Sequence, residues 1–152
     1  MPTSCRTSCD FFPLLRELVR TYQAFDDFSG KHIRSMGLTV SQFDVIATLG
    51  NTSGLSCRDI GHKTLMVKGT LTGVLDRLEK KGLIHRAAHP TDKRSTLVQL
   101  SAAGETLFHQ VFPSHLAYLE PVFKGVGEET LTSLPSQLRL LRLALEGDKT
   151  TP

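Results

Sequence analysis

The sequence has no tryptophan and only three cysteines, at positions 5, 9 and 57 of its 152 residues. Three unevenly spaced cysteines cannot form a disulfide framework, which favours a reducing compartment. No apolar run approaches the roughly 20 residues that cross a bilayer. Residues 1–9 also lack the apolar core of a secretory signal. We therefore expect a cytoplasmic chain that does not enter a membrane.

Length and hydrophobic content are those of one globular domain. A chain of 152 residues with 39% hydrophobic side chains is long enough to bury a core and too apolar to be a disordered tail.

Positive charge is concentrated in the middle of the chain. Residues 55–100 carry nine Lys or Arg and four Asp or Glu, a net charge of +5. The rest of the chain carries nine Lys or Arg and eleven Asp or Glu, a net charge of −2. Segregated positive charge is typical of a nucleic-acid-binding module, although a window of this length can also be unbalanced by chance.

Apolar residues recur at helical spacing near both ends of the chain. The first series begins beside Asp10 and Pro13, which favour a helix start. It comprises Phe11, Leu15, Leu18, Tyr22 and Phe25, and Phe28, Ile33 and Met36 extend it to a helix end near Gly37. The second series, Leu131, Leu134, Leu138, Leu141 and Leu145, forms a seam that requires a partner helix. A helix that begins at Ser101 precedes it. Prolines at 113, 121 and 135 predict bends or breaks in these last helices.

The central segment predicts three short helices and a hairpin. Thr39 or Ser41 can cap the first helix, and Ser56 with Asp59 resembles a capping pair for the second. The third helix runs from Lys68 to Gly82. Its apolar residues face one way, and the other side is small and basic, with Lys68, Thr70, Thr72, Gly73, Arg77 and Lys80. Strands at 83–86 and 96–100 enclose a charged turn. This order of elements is typical of a winged helix-turn-helix, whose third helix enters the major groove of DNA.

At two motifs the chain resembles the MarR family of bacterial transcriptional regulators. Residues 69–86, GTLTGVLDRLEKKGLIHR, are similar to that family's recognition helix and first wing strand, and residues 90–104 are similar to its D-x-R wing. The similarity extends over roughly residues 14–145. It implies a mainly α fold with a small β-wing, namely a winged helix-turn-helix with terminal dimerisation helices. The implied domains are a dimerisation layer at 10–36 and 105–147, a DNA-binding lobe at 38–104, and mobile tails at 1–9 and 148–152.

The resemblance also implies a function. It indicates a homodimer that binds a pseudo-palindromic operator in duplex DNA, most often as a repressor that a small ligand or oxidation releases. Two-fold symmetry would place the recognition helices about 34 Å apart. The family's DNA-contacting positions, together with the basic wing tip, correspond here to Lys68, Gly69, Thr70, Thr72, Arg77, Asp92, Lys93 and Arg94. In this interpretation Arg94 enters the minor groove and Asp92 orients it.

The recognition helix departs from the family at its first residues. Many members have Ser or Asp there, but this chain has Val67 and Lys68. Val is a poor N-cap, and a cation opposes the helix dipole. An opposing phosphate would explain Lys68; a tolerated surface lysine is the alternative.

The sequence leaves several alternatives for the signal that such a regulator would sense. A ligand cleft between the two lobes would involve Phe25, Phe28, His32, Phe43 and Phe112, although aromatic residues at helical spacing also form ordinary cores. Cys5 and Cys9 flank Arg6 and can act as a redox pair or be unremarkable thiols. We expect Cys57 to be buried or half-buried. A redox-sensing or zinc-sensing repressor is a further possibility.

Metal and enzyme chemistry have little support in the sequence. Glu105 and His109 can share a helix face, but the six histidines form no tight ligand set, so we expect no cofactor and no structural metal. No set of residues in the sequence has the spacing of a phosphate-binding loop or of a catalytic triad. A non-enzyme is therefore expected, and the alternative to a DNA-binding regulator is a winged-helix assembly module that does not bind DNA.

Overall fold

The computed structural model describes residues 11–92 and 95–147. The six helices in this part are α1 (Phe12–Ser35), α2 (Val40–Leu49), α3 (Cys57–Thr64), α4 (Lys68–Lys80), α5 (Ala102–Gly125) and α6 (Glu128–Gly147). The three strands are β1 (Leu55–Ser56), β2 (Ile84–Ala88) and β3 (Thr96–Leu100). The chain divides into two compact units, with the boundary between Phe112 and Pro113 inside α5.

Local capping explains where several helices begin. The Thr39 hydroxyl accepts the Gln42 N–H and the Gln42 side chain accepts the Thr39 N–H, both at 3.2 Å, a complete capping box for α2. The Ser56 hydroxyl accepts the Asp59 N–H at 3.1 Å and begins α3. The predicted cap Asp10 lies outside the described residues; Phe11 precedes α1 without a side-chain cap.

The strands form one antiparallel sheet in the order β1-β3-β2. Ile84 lies opposite Leu100, and Ala88 lies opposite Thr96, which confirms the predicted hairpin. The strand β1 was not predicted; its two residues pair with Leu97 and Val98. The winged helix-turn-helix fold class is confirmed.

The core of the first unit positions α4. Ile46 from α2, Ile60 from α3 and Val98 from β3 are completely buried. The inward side of α4 joins this core through Leu71, Val74, Leu75 and Leu78. Burial of these four side chains removes their apolar surface from water and fixes the opposite side of α4 outward.

The prolines do not interrupt the last two helices. The helix α5 continues through Pro113 and Pro121, and α6 continues through Pro135. Of the predicted bends or breaks, a break is therefore wrong at all three prolines, and a bend stays a prediction. In the second unit the seam of α6 is solvent-accessible, with Leu134 43% and Leu145 62% exposed. No helix in the described part of the chain is long and apolar enough to span a bilayer.

A carboxylate on α2 provides a stability prediction. Partial burial, followed by the nearby charge of Asp26, raises the pKa of Asp44 above its ordinary value of 3.8. Just above pH 3.8 the folded chain therefore binds more protons than the unfolded chain. Ionisation of Asp44 thus lowers the stability of the fold as the pH rises above 3.8, and this stability is recovered as the pH falls. Asp44→Asn is expected to raise the thermal midpoint at pH 7 by about 2 °C.

This gain has a pH signature that thermal melts can measure. It should shrink towards pH 4, where wild-type Asp44 becomes protonated, and Asp26→Asn should give a smaller gain because its charge is the lesser cause. An Asp44→Asn gain that is equal at pH 4 and pH 7 would contradict the electrostatic origin.

Candidate nucleic-acid interface

The outward side of α4 presents the predicted contact residues to solvent. Five of them are exposed, namely Lys68, Gly69, Thr70, Thr72 and Arg77. The Thr72 hydroxyl donates to the Lys68 carbonyl at 2.9 Å, so its oxygen remains accessible as an acceptor on the helix surface. A small, hydroxylated and cationic helix face of this kind can approach base edges and phosphates closely.

The first turn of α4 has no side-chain cap. Its N-cap is Val67, which is 72% exposed, and no acidic residue lies in the first turn. The N–H groups of this turn and the positive end of the helix dipole therefore lack an anionic partner from the turn itself. This open end, next to exposed Lys68, is suited to a phosphate.

A histidine at the end of β2 shapes the wing turn. The His89 Nδ1 lies 3.3 Å from the Thr91 N–H and 3.2 Å from the Asp92 N–H, both of which donate to it. The Ser95 N–H donates to the Asp92 carbonyl at 3.0 Å, which closes the turn from the other side. Asp92 is exposed on this turn, whereas the predicted contacts Lys93 and Arg94 lie outside the described residues.

An ion-pair cluster joins strand β2 to α4. Arg86 on β2 donates to Asp76 at 2.7 Å and also bonds to Glu79, and both acids lie on α4. The hydrogen bond to Asp76, followed by the charge of Glu79, raises the pKa of the Arg86 guanidinium despite partial burial. Arg86 was not among the residues predicted from the sequence, although an Arg on the wing strand and two acids on the helix were visible signals.

A cavity of 590 Å³ opens beside α3 and α4. Its walls combine apolar Met66, Leu71 and Leu75 with the cations Arg58, Lys68 and Arg86. It could accommodate an apolar group that carries a negative charge.

Cys57 also lines this cavity and is exposed. The expectation of a buried or half-buried thiol is wrong, because Cys57 is the first residue of α3 and Ile60 takes the inward position. The proposed redox pair Cys5 and Cys9 lies outside the described residues.

The residues predicted to line a ligand cleft differ in burial. Phe43 and Phe112 stack with ring centroids 6.5 Å apart, and Phe43 is only 6% exposed. On α1, Phe25 is exposed, whereas Phe28 and His32 are half-buried. Phe43 is thus a core residue and Phe112 packs against the core, while the ligand cleft stays a prediction.

Side chains that could hold a metal do not cluster in the described part of the chain. Within residues 11–92 and 95–147 no three His, Cys, Asp or Glu side chains are grouped as metal ligands. The predicted pair Glu105 and His109 lies 3.8 Å apart on the exposed side of α5, which is an ordinary surface contact.

Known proteins resemble the chain in sequence and in fold. The family model of the MarR family matches residues 38–96. The HTH-type transcriptional regulator MhqR of Bacillus subtilis (strain 168) is 33% identical over 126 residues, which cover 83% of this chain and 87% of MhqR.

Solved structures show the same fold. BpsR of Bordetella bronchiseptica, described with the regulation of its DNA binding by 6-hydroxynicotinic acid, superposes with a TM-score of 0.74 and 25% identity over 86% of this chain and 98% of that one. Sco3205, a MarR family transcriptional regulator from Streptomyces coelicolor solved in complex with DNA, superposes with a TM-score of 0.78 and 20% identity over 87% of this chain and 85% of that one.

Proposed function

Because the chain belongs to the MarR family of DNA-binding transcriptional regulators, we propose that it is a homodimeric, sequence-specific repressor in the cytoplasm that a small ligand or stress signal releases from its operator. The proposed DNA contacts are Lys68, Gly69, Thr70, Thr72 and Arg77 on α4 and Asp92, Lys93 and Arg94 on the wing. The named relatives are regulators rather than enzymes, and no catalytic role is assigned.

The outward face of α4 is the observation that carries the proposal. Four buried side chains fix the orientation of the helix, and its exposed side is small, hydroxylated and cationic. Arg86 joins the wing strand to the same helix, so both proposed DNA-contacting elements would approach a duplex as one body. Such a surface can fit a helix into the major groove and place the wing on the flanking backbone.

Apolar surfaces outside the DNA-binding lobe support the homodimer. Along α1, Leu15, Val19, Tyr22 and Phe25 are each at least 46% exposed. Separately, α6 exposes the leucine seam described above. Exposed apolar faces of this length are typical of helices that bury themselves against a partner. The proposed dimerisation layer is therefore 10–36 and 105–147, with the DNA-binding lobe at 38–104.

Release by a small ligand is supported by the family and by one of the similar structures. The DNA binding of BpsR is regulated by 6-hydroxynicotinic acid, a small aromatic acid. A ligand of comparable size would fit a cleft lined by aromatic side chains. The proposed ligand contacts remain Phe25, Phe28, His32, Phe43 and Phe112.

DNA binding is tested by selecting duplexes from a randomised pool with the full chain and measuring affinity across a salt series. We expect Arg77→Ala and Lys68→Ala each to weaken binding by about tenfold and to reduce the salt slope by about one. Lys124→Ala, which removes an exposed cation from the end of α5, is the control and should leave both quantities unchanged.

Two results would overturn the proposal. Enrichment of no duplex by a folded dimer would favour a winged-helix assembly module instead. Equal losses of affinity in all three variants would show that binding depends on the overall positive charge of the chain and not on contacts from α4.

A further inference from the structure

Val67 is an exposed apolar side chain at the start of the recognition helix. It is 72% exposed, has extended backbone angles as the N-cap of α4, and makes no side-chain capping bond. Ser, Thr, Asp or Asn at an N-cap would satisfy an open N–H group and stabilise the helix. Val67 therefore contributes less to this helix than a small polar residue would.

The packing of α4 does not require Val67. A residue before the N-cap often packs against the fourth helical residue and fixes the entry of the chain. In this protein those positions are Met66, which packs against the core, and Leu71, which is 3% exposed. The contact that anchors the helix start is thus provided by its neighbour, and the side chain of Val67 is left facing solvent.

If α4 docks in the usual geometry, Val67 lies at the end of the helix that faces the bases. The first residues of a recognition helix contact base edges in the major groove. Those edges present hydrogen-bonding groups, with one apolar exception, the 5-methyl group of thymine. Two valine methyl groups can bury that methyl and can form no hydrogen bond to any base.

From these observations we propose that Val67 selects thymine, through its 5-methyl group, at one position in each half of the operator. The inference rests on the proposed function and names a base that this function leaves open. Exposed Lys68, the next residue, provides charge for the phosphate or guanine that adjoins this thymine.

Deoxyuridine isolates the methyl group from every other property of thymine. The probe is a duplex enriched by the wild-type chain, in which thymines are replaced one at a time by deoxyuridine. We expect one position per half-site at which replacement weakens wild-type binding by about fourfold, the effect of burying one methyl group. Val67→Ser should bind the thymine and uracil forms equally.

Serine at this position also separates recognition from folding. Because Ser is a good N-cap, Val67→Ser should melt at the wild-type temperature or about 2 °C above it while it loses the thymine preference. Val67→Thr keeps one methyl group beside a capping hydroxyl and should retain part of the preference. Leu65→Ser is the matched control, because Leu65 is 89% exposed but lines a groove with Asp44 and Thr48 of α2; it should retain the full preference.

The outcomes distinguish this inference from the function on which it rests. If the wild-type chain enriches no duplex, the proposed function fails and the inference fails with it. If a duplex is enriched but no uracil effect depends on Val67, only the thymine contact is overturned. Equal loss of preference in Val67→Ser and Leu65→Ser would also overturn it.

Discussion

Replacing Gly104 by alanine is expected to destabilise the first unit by about 3 kcal/mol. Gly104 lies in the first turn of α5, where an added Cβ would stand 1.9 Å from the carbonyl oxygen of Leu83. That oxygen accepts the Ser101 N–H at 3.0 Å, so it cannot withdraw without breaking a hydrogen bond. The Ser101 hydroxyl in turn donates to the Gly82 carbonyl and accepts the Gly104 N–H. The substitution would therefore disturb the start of α5 and the turn after α4 together.

Urea or thermal unfolding of the full chain measures this effect. Gly125→Ala is the matched control, because an added Cβ there meets no atom within 4 Å. Its stability should be unchanged or slightly increased by the lower entropy of the unfolded chain. If the two variants unfold alike, α5 does not approach Leu83 as closely as the structure indicates.

Features that depend on neighbouring residues could be predicted from the sequence. The sequence predicts helix starts at Ser56, at Ser101 and at either Thr39 or Ser41, because a hydroxyl needs only its own next three residues to form a cap. The orientation of α4 followed from the helical spacing of its apolar residues. Once the buried side of α4 is known, the remaining positions of the same helix give its basic outward face.

Several features that depend on residues outside the local pattern could not be predicted. The strand β1 has two residues, too few for an alternating pattern, and exists because Leu55 pairs with Val98. Cys57 is exposed because Ile60 takes the inward position of α3. The helix α5 continues through two prolines, which in the sequence favour a bend or a break. Arg86 was assigned only to a strand, because its two acidic partners precede it by seven and ten residues across a turn.

Arg86→Met is expected to weaken operator binding at least tenfold. Arg86 pairs with both Asp76 and Glu79 on α4 and offsets one of their two negative charges. Without the guanidinium, both carboxylates would repel the phosphates that α4 approaches. The wing strand would also lose its polar connection to α4, so the orientation of the two proposed DNA-contacting elements would rest on apolar packing such as that of Ile84. Thermal stability should change little, because the ion pairs are partly solvent-exposed.

A second substitution on α4 separates the charge effect from the lost connection. In the Arg86→Met background, Asp76→Asn removes one of the repelling carboxylates, so affinity should recover by several-fold, more at low salt than at high salt. Arg86→Lys should fall between wild type and Arg86→Met, because one ammonium cannot bridge two carboxylates as a planar guanidinium does. Arg142→Met, which breaks an exposed pair with Glu146 on α6, should bind as wild type. Recovery that is absent at every salt concentration would show that the lost connection to the wing, rather than the repulsion, accounts for the weakened binding.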